Sequence, residues 1–148
     1  MQWHPRLLEA VYERSHWLLR PFRLWMVSGG VVERFFVFFE RVFKGVIFDC
    51  CQCGQCVLHR AGMTCPMTCP KNMRNGPCGG VTASGNCEII PETKCVWLQA
   101  WERSKEMRVY GDEILGILPP RKGQLDGGSA WINELSGAAG QTPAGWAE

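Results

Sequence analysis

The sequence lacks a strong excess of charge of either sign and lacks any uninterrupted apolar run of membrane-spanning length. Its 16 Lys and Arg residues nearly balance 14 Asp and Glu residues, which gives a formal net charge of +2. A nucleic-acid-binding protein is expected to carry a strongly basic patch. The aromatic run 35–39 is flanked by charged residues and falls far short of the roughly 20 apolar residues that a membrane span needs. We therefore expect neither a nucleic-acid partner nor membrane insertion.

The sequence also lacks the patterns of a secretory signal and of a catalytic site. Charged residues interrupt the first 17 positions, so no apolar signal core is evident, and we expect a cytoplasmic protein. The three histidines, His4, His16 and His59, are scattered, and His59 is expected at the surface. No nucleophile–base set, phosphate-binding loop or dinucleotide fingerprint is present. We therefore do not expect this chain to be catalytic by itself.

What the sequence does contain is nine cysteines, all between Cys50 and Cys95. In a secreted chain such a density would suggest disulfides, but the cytosol keeps thiols reduced. Clustered cysteines in a cytosolic chain more often bind metal. The surrounding segment is rich in glycine and proline, so it cannot bury enough apolar surface to offset the entropy of ordering it. Metal–thiolate bonds are the available source of order.

The remaining sequence predicts a mainly α fold around this irregular module. Residues 1–49 have the periodicity of two amphipathic helices, the first beginning at Pro5 and stopped by Pro21, the second spanning Val31 to Phe43. The aromatic stripe of the second helix either packs on this chain or docks a larger partner. Residues 50–95 form the cysteine module, and residues 96–110 return to a helix. Residues 111–148 are expected to form an extended C-terminal arm.

Eight cysteines divide into two groups of four. Cys50, Cys53 and Cys56 have the Cys-x-x-Cys-x-x-Cys spacing of an iron–sulfur-binding run, which a later Cys-Pro closes. Both Cys65 and Cys69 precede proline, so either could close this group, and the two could exchange roles. The second group is Cys69, Cys78, Cys87 and Cys95, at nearly regular intervals that contain Gly or Pro. Cys51 is the extra cysteine, and its side chain is expected to point away from the centre that its neighbours face.

The pattern favours two [4Fe-4S] clusters over one cluster plus one zinc ion, and over zinc alone. Zinc ribbons show two Cys-x-x-Cys knuckles separated by a loop, whereas here one run of three cysteines precedes widely spaced single ones. Backbone N–H groups at Gly76, Gly79 and Gly80 could approach a cluster closely because no Cβ blocks them. Hydrogen bonds of that kind tune cluster potentials.

Several of these segments resemble the methylenetetrahydrofolate reductase C-terminal-domain family. The relevant stretches are Cys50-x-x-Cys53-Gly-Gln-Cys56, Gly62-Met-Thr-Cys65-Pro-Met-Thr-Cys69-Pro-Lys, Arg74-Asn-Gly-Pro-Cys78-Gly-Gly, Gly85-Asn-Cys87-Glu and Cys95-Val-Trp97. The resemblance runs from about Phe43 to Arg103, and Leu118-Pro-Pro and Gly128-Ser-Ala-Trp131 are similar to tails of this family. The doubled Cys50-Cys51 departs from its usual single cysteine.

The resemblance implies a function. In this family the chain is the small cysteine-rich subunit of a two-subunit reductase, beside a catalytic subunit that carries FMN on a TIM barrel. It would relay electrons from an external donor through its clusters to that flavin. The alternative is a structural zinc-binding subunit that stabilises a folate-dependent enzyme complex.

Overall fold

The computed structural model describes residues 4–22, 30–76, 78–118 and 120–141. In these ranges the regular structure is helical, and only two isolated β-bridges occur, Val81 with Cys87 and Asn86 with Lys94. The α-helices are α1 (Pro5–Leu19), α2 (Val31–Phe48), α3 (Val96–Ser104) and α4 (Ala130–Leu135). Short 3-10 turns span Arg20–Phe22, Leu58–Ala61, Pro66–Thr68, Gly111–Leu115 and Gly123–Leu125.

The two N-terminal helices confirm the expectation from periodicity. Helix α1 begins at Pro5, whose fixed φ and missing N–H suit a first helical turn. Helix α2 begins at the predicted Val31 but continues to Phe48, five residues past the predicted end. It stops at Asp49, which adopts a left-handed conformation with φ 51°. The longer helix places Cys50 directly after its C-terminal turn.

The core joins α1, α2 and the cysteine module. Phe48, Leu58, Met63, Cys65 and Met107 form one buried cluster, and Leu8 and Tyr12 of α1 pack against it. A second buried cluster lies at α3, which begins at the predicted residue but ends at Ser104, before the predicted position 110. Its members are Cys95, Trp97 and Ala100. The cysteine module is therefore held between helices on both sides.

The C-terminal segment does not form the extended arm that the sequence predicts. Two 3-10 turns and α4 fold back onto the module, and Ile132 and Ser129 of this region are fully buried. The buried carboxylate of Glu40 on α2 accepts hydrogen bonds from the Ser129 hydroxyl and from the backbone N–H groups of Ala130 and Trp131, at 2.9–3.0 Å. These bonds fix the start of α4 against α2. Residues 142–148 of the predicted arm lie outside the described ranges.

Within the described part of the chain, no helix combines the length and apolar content needed to cross a membrane.

Candidate metal centres

The structure distributes eight of the nine cysteines between two cavities, four in each. The first cavity, of about 20 Å³, lies beneath α2 and is lined by Cys50, Cys53, Cys56 and Cys65. The second, of about 250 Å³, is lined by Cys69, Cys78, Cys87 and Cys95. We call them the first and second centres. Cys65 therefore lies with the first group and Cys69 with the second, and their assignment as metal ligands stays a prediction.

The ninth cysteine, Cys51, lies on neither cavity wall. It is exposed, and its sulfur lies 3.7 Å from the carbonyl oxygen of Asp49 and 4.0 Å from that of Met67. This placement agrees with the expectation that Cys51 points away from the centre that Cys50 and Cys53 face. Its role in binding stays a prediction.

Local backbone structure explains how the ligand candidates converge. Cys50 follows the end of α2, and Cys95 occupies the N-cap of α3. Between them, the N–H of Cys87 donates to the carbonyl of Thr93 at 2.9 Å, and the N–H of Cys95 donates to that of Gly85 at 3.0 Å. These loop hydrogen bonds return the chain repeatedly to the second cavity. The intervals between these cysteines, which are rich in glycine and proline, therefore form loops, as their spacing predicts.

Burial makes ionisation of the thiols at the first centre unfavourable unless a cation lies beside them. Burial, together with neighbouring Cys50, Cys56 and Cys53 when they are ionised, raises the pKa of Cys65 to about 12. Burial also raises the pKa values of Cys50 and Cys56. Buried thiolates are therefore unfavourable unless positive charge accompanies them, and metal binding supplies such charge while releasing the protons.

Two cationic side chains line the first cavity beside these thiols. Lys44 of α2 has a side chain 15% exposed and lies 3.4 Å from the Glu40 carboxylate. Burial opposes its charge, but Cys56, Glu40 and Cys50 together outweigh burial and raise the pKa of Lys44. Arg74 lines the same cavity, and burial lowers its pKa although ionised Cys53 and Cys56 favour its charge. The surroundings of the first centre thus suit an anionic metal–thiolate group.

The arrangement does not form a closed single-ion site. In the residues that the structure describes, no three His, Cys, Asp or Glu side chains converge on a point that could hold a metal ion. The first cavity has the volume of roughly one water molecule, and the second is more than ten times larger. The donor chemistry fits metal–thiolate centres at both positions, while the kind of centre stays a prediction.

The three glycines predicted to approach a cluster occupy different surroundings. Only Gly80 lines the second cavity. Gly76 lies against the Trp97 ring, which a Cβ at this position would overlap. At Gly79 a Cβ would meet nothing within 4 Å. Gly76 is thus required by packing of Trp97, whose Nε1–H donates to the Met73 carbonyl at 3.0 Å.

His59 is not at the surface, contrary to the expectation from sequence. Its side chain is 17% exposed and stacks on Tyr12, with ring centroids 5.0 Å apart. Burial, with the nearby Arg60 and His16, lowers the pKa of His59 to about 4. Its Nε2 lies 3.5 Å from the Glu113 carboxylate. The aromatic neighbours come from distant parts of the chain, so no local sequence pattern indicates this position.

Together these features define a small helical protein that gathers eight cysteines into two groups of four. A sequence model of the family described as methylene-tetrahydrofolate reductase C terminal matches residues 30–123, well over half of the chain, and the chain belongs to this family. The resemblance read from the cysteine motifs is thereby confirmed, and it associates the chain with methylenetetrahydrofolate reductase. The matched region includes α2, α3 and all nine cysteines. Searches of curated proteins and of solved structures returned no significant match.

Proposed function

We propose that this chain is the accessory electron-transfer subunit of a methylenetetrahydrofolate reductase complex and binds two [4Fe-4S] clusters. The observation that carries the proposal is the pair of cavities with four cysteines each. A bound iron–sulfur cluster supplies one-electron transfer. The chain's own residues would hold the two clusters as neighbours and surround the first with the positive charge of Lys44 and Arg74.

The proposed partner is the FMN-containing catalytic subunit of the reductase, and α2 is its proposed docking surface. One side of α2 contributes Glu40, Lys44 and Phe48 to the wall of the first cavity. Another side carries a row of exposed apolar side chains, which we call the α2 face: Val31, Phe35, Phe38, Val42, Phe43 and Val46. Large exposed apolar patches commonly mark interfaces. A partner seated on the α2 face would lie one helix away from the first centre, which suits transfer between that centre and a flavin.

An external electron donor would then meet the chain at the second centre. The wall of that cavity includes Lys71 and Lys94, both of which are exposed, and Cys78, which is half-buried. The proposed route therefore runs from the donor through the second centre and the first centre to the flavin.

A structural zinc module is the second candidate, and the small first cavity favours it at that position. Four thiolates about 2.3 Å from one zinc ion make a more compact group than four thiolates around a cluster. Metal and sulfide analysis of anaerobically purified protein separates the candidates. Two clusters require eight iron atoms and eight sulfides per chain, with visible absorption that bleaches on reduction. One zinc per four cysteines, without sulfide or colour, would disprove the electron-transfer proposal.

Complex formation with the catalytic subunit tests the docking proposal independently of the metal. Phe38→Ser on the α2 face is expected to weaken binding at least tenfold, since buried aromatic anchors often dominate interface energies. Ile117→Ser removes another exposed apolar side chain, 80% exposed, outside α2 and serves as the matched control. Equal affinity of both variants in calorimetric titrations would show that the partner does not dock on the α2 face.

A further inference from the structure

The half-buried cation Lys44 lies between α2, α4 and the wall of the first cavity. It lies on α2, on the wall of the cavity that Cys50 and Cys56 also line. Its Nζ is 3.4 Å from the Glu40 carboxylate and 5.5 Å from the centre of the Trp131 ring on α4. A lysine normally has a flexible, hydrated side chain. Here an acid, an indole ring and a cavity wall restrict it.

The charge of Lys44 is not simply cancelled by Glu40. The Glu40 carboxylate already accepts hydrogen bonds from the Ser129 hydroxyl and from the N–H groups of Ala130 and Trp131. These donors stabilise the negative charge of Glu40 from the side of α4. The ammonium of Lys44 therefore remains available to the thiolates on its other side. Since these groups are largely buried, solvent screens the interaction only weakly.

We propose that Lys44 is a positioning residue for charge at the first centre, where it offsets the negative charge of the metal–thiolate group and raises its reduction potential. The backbone of α2 and the Trp131 ring place the Lys44 ammonium at the cavity wall, and Glu40 contributes a negative charge beside it. The proposal rests on the proposed function, because it requires a metal–thiolate centre at the first cavity. Four thiolates carry more negative charge than either zinc or a [4Fe-4S] core carries positive charge. A fixed cation therefore favours retention of either centre, and it favours the reduced, more negative state of a cluster.

The test compares metal retention in the full-length protein and its Lys44→Gln variant. Removing one half-buried charge beside the thiolates should accelerate loss of metal from the first centre to a chelator by roughly tenfold. For a cluster, a tenfold change in the redox equilibrium corresponds to a potential lower by about 59 mV for a one-electron couple. Retention and potential of the second centre should not change, which also shows that the variant is folded.

Two further variants test the direction of the potential shift and whether the effect is specific to Lys44. Arg41→Gln removes an exposed positive charge from the same helix and should leave both centres unchanged. Glu40→Gln removes the acid beside Lys44, so the potential of the first centre should rise instead of fall. If Lys44→Gln does not fold, the Glu40→Gln shift still tests the charge argument, because an unchanged or lower potential would overturn it.

The outcomes separate this inference from the proposed function. Iron and sulfide in the unsubstituted protein, with unchanged retention and potential in Lys44→Gln, would overturn the role of Lys44 alone. Zinc at the first centre would disprove a two-cluster relay, while faster zinc release from Lys44→Gln would still support the role of Lys44. Absence of any metal from the anaerobically purified protein would overturn both.

Discussion

Cys65 and Cys69 stand at opposite ends of one 3-10 turn, Pro66–Thr68, and line different cavities. The turn is closed by hydrogen bonds from the Thr68 N–H to the Cys65 carbonyl at 3.2 Å and from the Cys69 N–H to the Pro66 carbonyl at 3.1 Å. The Thr68 hydroxyl also donates to the Cys65 carbonyl at 2.7 Å. A rigid turn of three residues therefore links the two centres, and this short covalent connection suits a relay between two bound clusters.

This relationship predicts that serine substitutions at the two cysteines have different effects. Cys65→Ser should remove or weaken the first centre and spare the second, whereas Cys69→Ser should do the reverse, because each cavity loses one of four thiolates. Metal content per chain, with electron paramagnetic resonance of the reduced protein, identifies the remaining centre.

Cys51→Ser is the matched control, since Cys51 is exposed and lies on neither cavity wall. It should leave the metal content unchanged. Loss of the same centre from Cys65→Ser and Cys69→Ser would contradict the division of the cysteines described above.

The sequence predicted elements that depend on local pattern. The start of α1 at Pro5, the start of α2 at Val31 and the start of α3 at Val96 follow from proline placement and apolar periodicity. Each cavity is lined by one of the two groups of four that spacing predicts, apart from the open choice between Cys65 and Cys69, and metal binding by these groups stays a prediction. That choice depends on which way each side chain leaves the Pro66–Thr68 turn, and both cysteines precede proline.

What could not be predicted depends on contacts between distant residues. Helix α4 has only six residues, too few to be stable without tertiary support, and its support comes from Glu40, 89 residues earlier than Ser129. Lys44 and Arg74 were missed as cavity residues for a similar reason. The only local signal for Lys44 was its i, i+4 spacing from Glu40 on α2, and such a pair is more often solvated.

Replacement of Gly76 by alanine should destabilise the protein, although Gly76 lies outside both cysteine-lined cavities. A Cβ at Gly76 would overlap the Trp97 ring, and overpacking of this kind typically costs about 1–3 kcal/mol. Guanidinium unfolding monitored by tryptophan fluorescence measures the free energy of unfolding. Gly79→Ala is the control, because its Cβ would meet nothing within 4 Å. Equal stabilities of the two variants would contradict the packing role assigned to Gly76.

Ser129 should contribute strongly to the docking of the C-terminal segment. Its hydroxyl accepts from the Ile132 N–H at 3.3 Å as the N-cap of α4 and donates to Glu40 at 2.9 Å. Ser129→Ala should lower the free energy of unfolding by about 1–2 kcal/mol, since it removes a cap and one bond to a buried carboxylate. Ser136→Ala, at the exposed C-terminal end of α4, should change stability much less. A larger loss from Ser136→Ala would show that the N-cap does not fix this helix.

A second buried carboxylate, Glu9 of α1, predicts a pH dependence of stability. Glu9 is 4% exposed, and it accepts backbone hydrogen bonds from Arg108, Val109 and Tyr110 at 2.8–2.9 Å. Burial alone would raise its pKa, but these three bonds, with the charge of Arg108, outweigh burial and hold the pKa of Glu9 below its ordinary value of 4.5.

The folded protein therefore binds a proton at Glu9 less readily than the unfolded chain does. The stabilisation is complete above pH 4.5 and is lost as the pH falls through the lowered folded-state pKa. Glu9→Gln should accordingly reduce the free energy of unfolding most at pH 6–7, and the difference from the unsubstituted protein should shrink towards pH 3. Glu13→Gln, an exposed substitution on the same helix, serves as the control. Urea unfolding at several pH values measures the difference, and a difference that stays constant from pH 7 to pH 3 would show that the charge of Glu9 does not anchor α1 to residues 108–110.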